Sequence, residues 1–398
     1  MAPRARLLEG LRVLDFTRVL AGPFCSALLA DVGAEVTKVE PPGGDDYRHI
    51  GPFKNGESAL FMLINRGKKS VVVDLKSNDG AHLIHELAAV SDVVVENYRP
   101  GVAKRLGIDY ASLSRSNPQL VYASVSGFGQ SGPMAERPSY DIIAQALSGM
   151  MSVTGDAEGP PMRTGEPIGD LCAGLFAAWG IMVALYARDR NGHGSHVDVA
   201  MFDTLLSLLP TSLARLLYAG DRPVRTGNRH PLSSPFGSFE ARDGHVIIAV
   251  ANNALFERLA KAMAMPELVD DPRFVSDEER TRHESMLRGL IESWTRDKGV
   301  AEVVAILDRH AVPAAPIWDV EQAVSSAQTA FRQLVVKGEH PVAGAIHMME
   351  QPVHYSGIER GKIERSPLLG EHTDAVLSDL LELDEARLST LRQDKIIQ

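Results

Sequence analysis

The chain contains little cysteine and carries no excess of positive charge. Its two cysteines, Cys25 and Cys172, are too few for a disulfide framework and lie in apolar contexts, so a reducing, cytoplasmic compartment is expected. The formal net charge of −10 gives no reason to expect nucleic acid or an anionic membrane as a partner. Residues 1–6 are basic but no apolar segment follows them, so no signal peptide is predicted.

The histidines do not form a metal-ligand pattern. His82 and His85 stand at i and i+3 on a predicted helix, but no third ligand lies near them in sequence, so no metal site is predicted. The one long uncharged run, 171–187, is slightly short for a membrane span and is bounded by Asp170 and Arg188. A buried core helix is therefore expected there, with no membrane as a partner.

Short apolar strands alternate with helices in the first third of the chain. Strands are predicted at 12–16, 36–39, 70–75, 93–96 and 121–126, with helices at 23–30 and 80–90 among them. This alternation favours an α/β fold, in which a doubly wound, Rossmann-like parallel sheet is covered by helices on both faces.

The rest of the chain suggests an inserted small domain. Helices are predicted at 140–150, 171–188, 201–218, 255–263, 278–295, 300–310 and 373–381, and a β-hairpin pairs 236–239 with 245–250. Two linkers, 220–234 and 312–330, are rich in proline, glycine or arginine at their starts. The predicted organisation is a large α/β domain over 1–219, a small α+β domain over 235–311 and a return to the large domain over 331–398.

Asp170 stands where the first turn or the N-cap of the apolar helix is predicted. A carboxylate at that place is held ionised by the helix dipole and by free backbone N–H groups. Two roles are open for it: it can cap the helix, or it can act as a nucleophile.

Residues 127–132 match the pattern G-x-G-x-x-G after a predicted strand. The match occurs on the fifth strand rather than the first, and Pro133 and Pro138 leave no helix N-terminus to receive a pyrophosphate. A glycine-rich turn near a ligand is therefore expected, rather than a dinucleotide site. The turn 97–101 follows another strand and precedes Lys104 and Arg105, an arrangement that suits an anionic ligand such as a phosphate.

Together these segments resemble the class III CoA-transferase family (CaiB/BaiF type), which includes carnitine, formyl and succinyl CoA-transferases. The resemblance covers nearly the whole chain and rests on the segments 14–23, 33–40, 65–70, 95–101, 126–129, 168–170 and 367–372. It implies an interlocked homodimer of two-domain chains. It also implies coenzyme A or acyl-CoA as a substrate, with no permanently bound cofactor.

The resemblance assigns the nucleophile to Asp170, which forms first a mixed anhydride and then a thioester with CoA. The residues that it implies for CoA binding are Val19, Lys76, Asn97, Tyr98, Arg99, Arg105 and Tyr140. The same fold also hosts α-methylacyl-CoA racemases, which need a histidine at the position of Tyr140. Because tyrosine is a poor base at neutral pH, transferase activity is favoured over racemase activity.

Succinyl-CoA is the predicted donor, and a small carboxylic or dicarboxylic acid the predicted acceptor. Where the formyl-CoA branch has glutamine this chain has Leu20, and the glycine run of that branch is replaced by 230–236, so oxalate or formyl specificity is not expected. Arg48 and Arg163 are candidates to pair with a free substrate carboxylate, although either can equally be a surface residue.

Overall fold

A computed structural model of the chain describes residues 6–356, 358, 361 and 363–398. It divides into two compact units, of which the first comprises residues up to Met150, Arg163–Ala214 and Gln328–Gln398. The second unit comprises Met151–Met162 and Arg215–Ala327. The domain boundaries drawn from the sequence remain a prediction.

The short segment 151–162 belongs to the second unit through hydrogen bonds that join it to residues 225–227. The Arg225 guanidinium donates to the carbonyl oxygens of Asp156 and Gly159, and Gly227 N donates to Gly155 O. The sequence did not predict this association, because the acceptors are backbone carbonyl oxygens, which every residue has.

The strands and helices follow one another as expected for an α/β chain. The strands are β1 (Arg12–Asp15), β2 (Glu35–Glu40), β3 (Phe53–Lys54), β4 (Glu57–Ser58), β5 (Lys68–Val72), β6 (Val93–Glu96), β7 (Val121–Ser126), β8 (His196–Ala200), β9 (Phe236–Ala241), β10 (Gly244–Ala249), β11 (Ala314–Pro316), β12 (Val335–His340) and β13 (Gly344–Met349). The helices are α1 (Ala21–Asp31), α2 (Ala59–Ile64), α3 (Asn78–Ala89), α4 (Val102–Arg105), α5 (Tyr110–Leu113), α6 (Asp141–Leu147), α7 (Met150–Val153), α8 (Ile168–Asn191), α9 (Met201–Ser207), α10 (Pro210–Tyr218), α11 (Asn253–Ala262), α12 (Asp277–Arg282), α13 (Glu284–Thr295), α14 (Val300–Arg309), α15 (Val320–Ser325), α16 (Ala327–Arg332), α17 (Thr373–Leu381) and α18 (Glu385–Gln393). Single 3₁₀ turns occupy Asp46–His49 and Pro266–Val269.

The central sheet of the first unit has six parallel strands in the order β5-β2-β1-β6-β7-β8. Successive residues of β6 serve opposite faces: Val93 and Val95 pack with α1 and α8, whereas Val94 packs with α3, α17 and α18. The predicted parallel α/β sheet is thus confirmed. The strand order reverses between β1 and β6, and in such sheets ligands bind outside the carboxyl ends of the strands at that point.

Three predicted helices are each divided in two. Gly149, with φ of +90°, ends the first and separates α6 from α7. Pro210, which has no backbone N–H, starts α10 after α9 has ended. The third divides at His283, between α12 and α13, where the backbone leaves helical geometry.

The second unit contains the predicted hairpin, with β9 antiparallel to β10. Part of the expected second linker is instead the edge strand β11, which pairs with β10. An edge strand tolerates Pro316 because one side of it carries no ladder hydrogen bonds. Proline content alone therefore predicted a linker where a short strand lies.

The helix α8 is longer and less buried than the sequence predicts. Ala173, Ala177 and Ile181 are buried in the core, but Leu175 and Trp179 are 55% and 64% exposed. By length and composition it is the one helix able to cross a membrane among the described residues, although its buried face belongs to the core of the first unit. The expectation of a buried core helix is right for one face, whereas the opposite face is apolar and exposed.

Candidate active site

A cavity of about 180 Å³ lies at the carboxyl ends of the central strands, where the strand order reverses. Its walls come from the loop after β1, the turn after β6, the segment after β7 and the start of α8. The lining residues from these and neighbouring elements are Arg18, Val19, Leu20, Ala21, Asp46, Asn97, Tyr98, Arg99, Pro100, Val125, Ser126, Gly127, Ala135, Arg137, Ser139, Tyr140, Asp170 and Met201. The position is the one at which open parallel sheets bind ligands.

Asn97 ties together the two loops that flank the reversal point. Its Oδ1 accepts the backbone N–H of Arg18 at 2.9 Å, and its Nδ2 donates to the carbonyl oxygen of Arg18 at 2.8 Å. The guanidinium of Arg18 lies 5.8 Å from the ring centre of Tyr98 and 3.5 Å from the carboxylate of Asp46. The side-chain amide therefore fixes the β1 loop against the β6 turn.

Asp170 is the third residue of α8, in its first turn as predicted. The capping role belongs to another carboxylate, because Asp141 at the start of α6 accepts the backbone N–H of Gly169 at 2.7 Å. The second oxygen of Asp141 accepts from Gln145 Nε2, also at 2.7 Å. Asp170 is thus left free of the helix-capping role that the sequence left open for it.

The protonation of Asp170 differs from the sequence-based expectation. Burial, followed by the nearby charge of Asp141, raises the pKa of Asp170 to about 7. With a pKa of about 7 a substantial fraction of Asp170 is protonated at neutral pH, whereas the sequence led to the expectation of an ionised carboxylate. A carboxylate with a raised pKa in a cavity is a candidate functional group.

Some of the residues that the resemblance implied for CoA binding line this cavity together with Asp170. They are Val19, Asn97, Tyr98, Arg99 and Tyr140. Lys76 and Arg105 are not among the described residues that line it. Tyr140 is 73% exposed, just before the start of α6.

Neither arginine proposed for a substrate carboxylate lines the cavity. The Nε and Nη2 atoms of Arg48 each donate to a carboxylate oxygen of Glu40 at 2.7 Å. The guanidinium carbon also lies 3.7 Å from the ring centre of Phe61. Its charge is therefore already neutralised, which argues against a substrate role. Arg163 donates to the carbonyl oxygens of Thr164 and Gly165 at 3.0 Å, outside the cavity lining.

Two residues of the site were missed from the sequence. Asp141 follows Tyr140 directly, and an acid at a predicted helix start was the signal available for it. Arg137 lines the cavity with an exposed side chain. In the described part of the chain, neither Arg99 nor Arg137 has a side-chain hydrogen bond or ion pair, so both offer free cations to a ligand.

Comparison with known proteins places this geometry in a family. Residues 8–373 match the family model of CoA-transferase family III. Acetyl-CoA:oxalate CoA-transferase from Acetobacter aceti is 42% identical over 353 residues, which cover 88% of this chain and 90% of that protein. Succinyl-CoA:glutarate CoA-transferase from Mus musculus is 37% identical over 98% of this chain and 90% of its own.

A solved structure has the same fold. The crystal structure of a CAIB/BAIF family protein from Brucella suis has a TM-score of 0.83 and 35% sequence identity, covering 95% of this chain and 100% of that one. The family match, the identities and the shared fold extend over nearly the full length of the chain. The chain therefore belongs to CoA-transferase family III and is a CoA-transferase that uses CoA thioesters as substrates.

Proposed function

We propose that this enzyme transfers CoA from succinyl-CoA to a small dicarboxylic acid and that Asp170 is the nucleophile. The observation that carries the proposal is the position of Asp170, which lines one cavity with Asn97 and Arg99 of the β6 turn. Cations near a strand reversal suit the phosphates of CoA, while a carboxylate in the same cavity suits attack on its thioester.

The proposed exchange proceeds in balanced steps. A carboxylate oxygen of Asp170 attacks the thioester carbonyl and expels the CoA thiolate, which leaves a mixed anhydride. The thiolate then attacks the side-chain carbonyl of Asp170, releasing the donor acid and leaving a thioester between Asp170 and CoA. The acceptor carboxylate repeats both steps in reverse, so that a new acyl-CoA leaves and the Asp170 carboxylate returns.

The free cations of the cavity support a substrate that bears extra negative charge. Arg18 is engaged by Asp46 and Tyr98, whereas Arg99 and Arg137 stand unpaired in the described structure. We assign Arg99 to the CoA phosphates and Arg137 to the second carboxylate of a dicarboxylic acid, in place of Arg48 and Arg163. Guanidinium groups bind both anions through paired hydrogen bonds.

The raised pKa of Asp170 leads to a pH-dependent rate. Because only the ionised carboxylate attacks, we expect kcat/KM to fall about tenfold per pH unit below about pH 7. Asp141→Asn removes the neighbouring charge while keeping an oxygen for Gly169 N–H, so the acidic limb should move to lower pH. Both enzymes meet the same substrate, so ionisation of the CoA phosphates cancels in the comparison. If the acidic limbs of the two pH profiles coincide, Asp141 does not control the reactivity of Asp170.

A substrate panel tests the function itself. Succinyl-CoA and acetyl-CoA are incubated with glutarate, oxalate or mesaconate, acceptors that the names of relatives suggest, and with butyrate as a monocarboxylic control. We expect new acyl-CoA from glutarate and mesaconate and at least about tenfold less from butyrate, which loses one charged contact. The oxalate-using relative makes oxalate the strictest test of the specificity predicted from Leu20. Deuterium entering the α-carbon of a 2-methylacyl-CoA without CoA exchange would support a racemase instead.

We also propose a homodimer, whose interlocked form rests on the family resemblance alone. The support from this chain is the exposed apolar side of α8 and α6, where Trp179 is 64% exposed, Tyr186 60% and Ile142 48%. Apolar patches of this kind mark association surfaces. Light scattering in solution measures the mass, and a monomeric mass at micromolar concentration would reject the dimer.

A further inference from the structure

A network of buried charges lies beneath the loop that joins β1 to α1. It contains three carboxylates and three cations, namely Asp15, Glu40, Asp45, Lys38, Arg48 and Lys68. The side chains of the Lys38–Asp45 and Lys68–Asp15 pairs are at most 1% exposed. None of these groups takes part in the chemistry proposed above.

Three members of the network hold the backbone of the loop. Asp45 Oδ1 accepts the N–H of Val19 at 3.0 Å, and its Oδ2 lies 2.8 Å from Lys38 Nζ. Lys38 Nζ donates to the carbonyl oxygen of Thr17 at 2.6 Å, while Asp15 Oδ1 accepts the N–H of Thr17 at 2.7 Å. The loop backbone is thus held at Thr17 and at Val19 by charge-assisted hydrogen bonds, which are stronger than neutral ones.

Val19 has an unfavourable backbone conformation. Its φ is +68°, in the left-handed region that a β-branched residue rarely adopts, and Val19 lines the cavity. Such a conformation persists only where the surroundings impose it, and it is often found at ligand sites. The Val19 N–H donates to Asp45 in this conformation, so the two features occur together.

We propose that Asp45, supported by Lys38, is a positioning residue that holds Val19 in this conformation and so shapes the wall against which acyl-CoA binds. This inference rests on the proposed function of the cavity. Burial alone lowers the pKa of Lys38, but Asp45, Asp15 and Glu40 outweigh it and raise the pKa, so that Lys38 stays charged. Loss of Asp45 should weaken acyl-CoA binding rather than the chemical step, because Asp45 is not a lining residue and contacts no reacting group.

The test compares Asp45→Ala with the wild type by calorimetric titration with CoA and by steady-state kinetics with succinyl-CoA. We expect Kd and KM to rise about tenfold, equivalent to about 1.4 kcal/mol, with kcat changed less than about threefold. Asp45→Asn keeps an acceptor for Val19 N–H and should raise both constants by about threefold. It also serves as the test variant if Asp45→Ala does not fold with Lys38 unpaired.

A rescue separates positioning from general stability. Glycine adopts positive φ without strain, so in a Val19→Gly background either Asp45 substitution should change Kd and KM by less than about twofold. Asp31→Asn is the matched control, since Asp31 forms a similarly buried ion pair with Arg66 and neither residue lines the cavity. It should lower the melting temperature and leave KM unchanged.

Three results would overturn the inference. Kd and KM could be unchanged in folded Asp45 variants, or substituting Asp45 could raise them as much in the Val19→Gly background as in the wild type. Asp31→Asn could also raise KM as much as the Asp45 variants do. In each case the wild type still binds CoA, so the proposed function stands. If the wild type itself does not bind CoA, both proposals fall.

Discussion

Asp170→Asn is expected to lower CoA transfer at least about 10⁴-fold, to the level of the uncatalysed mixture. The amide has nearly the shape of the carboxylate, but its oxygen is a poor nucleophile and forms neither the anhydride nor the thioester. Because every step of the exchange passes through this one group, no parallel route preserves the rate. Mass spectrometry of the products from succinyl-CoA and glutarate measures the loss.

The matched control lies on the same helix. Asp189, near the far end of α8, has a side chain that is 73% exposed, so Asp189→Asn should leave the rate unchanged. Treatment of the wild type with succinyl-CoA and then hydroxylamine should modify Asp170, and the variant should show no adduct. Undiminished transfer by Asp170→Asn would show that the nucleophile lies elsewhere.

The same variant should be more stable than the wild type above neutral pH, which distinguishes lost chemistry from lost folding. The folded protein holds the proton of Asp170 more tightly than the unfolded chain, since the pKa rises from 3.8 to about 7. As pH rises between these two pKa values, ionisation of Asp170 therefore lowers the free energy of unfolding of the wild type by up to about 4 kcal/mol. Asparagine does not ionise, so the two melting temperatures should agree near pH 4 and separate toward pH 8.

The fold was predictable where residue patterns are local. The buried strands β6 and β7 and the helix α17 have the predicted bounds, because continuous apolar runs and helical periodicity are visible along the chain. The edge strand β8 was missed because only its end, Val199 and Ala200, is buried, and His196 and Asp198 interrupt the apolar pattern. The residues of β8 form a strand because they pair with β7, a contact that the sequence of β8 does not show.

The candidate site was likewise predictable only where its residues form a local pattern. Asp170 at a helix start and the turn after β6 were found from local patterns and resemblance. The pairing of Arg48 with Glu40 and the capping of α8 by Asp141 were not, because both depend on contacts between separate elements. The raised pKa of Asp170 follows from burial and then from the nearby charge of Asp141, and neither is visible in a list of residues.

Gly174→Ala should destabilise the protein by about 3 kcal/mol, although alanine is the better helix former by about 1 kcal/mol. Gly174 lies where α8 packs against α1: a Cβ added there would lie 2.5 Å from the carbonyl oxygen of Ala21 and 3.3 Å from Cys25 N. These are backbone atoms, so no rotamer change relieves the clash and the helices must separate. Chemical denaturation measures the change. Gly289→Ala in α13 is the control, because nothing lies within 4 Å of its Cβ, and it should stabilise by about 1 kcal/mol.

The same substitution should also lower transfer by about 100-fold in protein that remains folded. Gly174 stands four residues after Asp170, on the same side of α8, and α1 begins directly after the loop that carries Val19. Separating the two helices therefore moves the nucleophile away from the cavity wall, and a displacement on the order of 1 Å is enough for such a loss. If Gly174→Ala is destabilised but fully active at a temperature where it stays folded, the α1–α8 contact supports the fold without setting the position of Asp170. A loss of kcat at unchanged Kd for CoA would instead show that this contact aligns the carboxylate with the thioester.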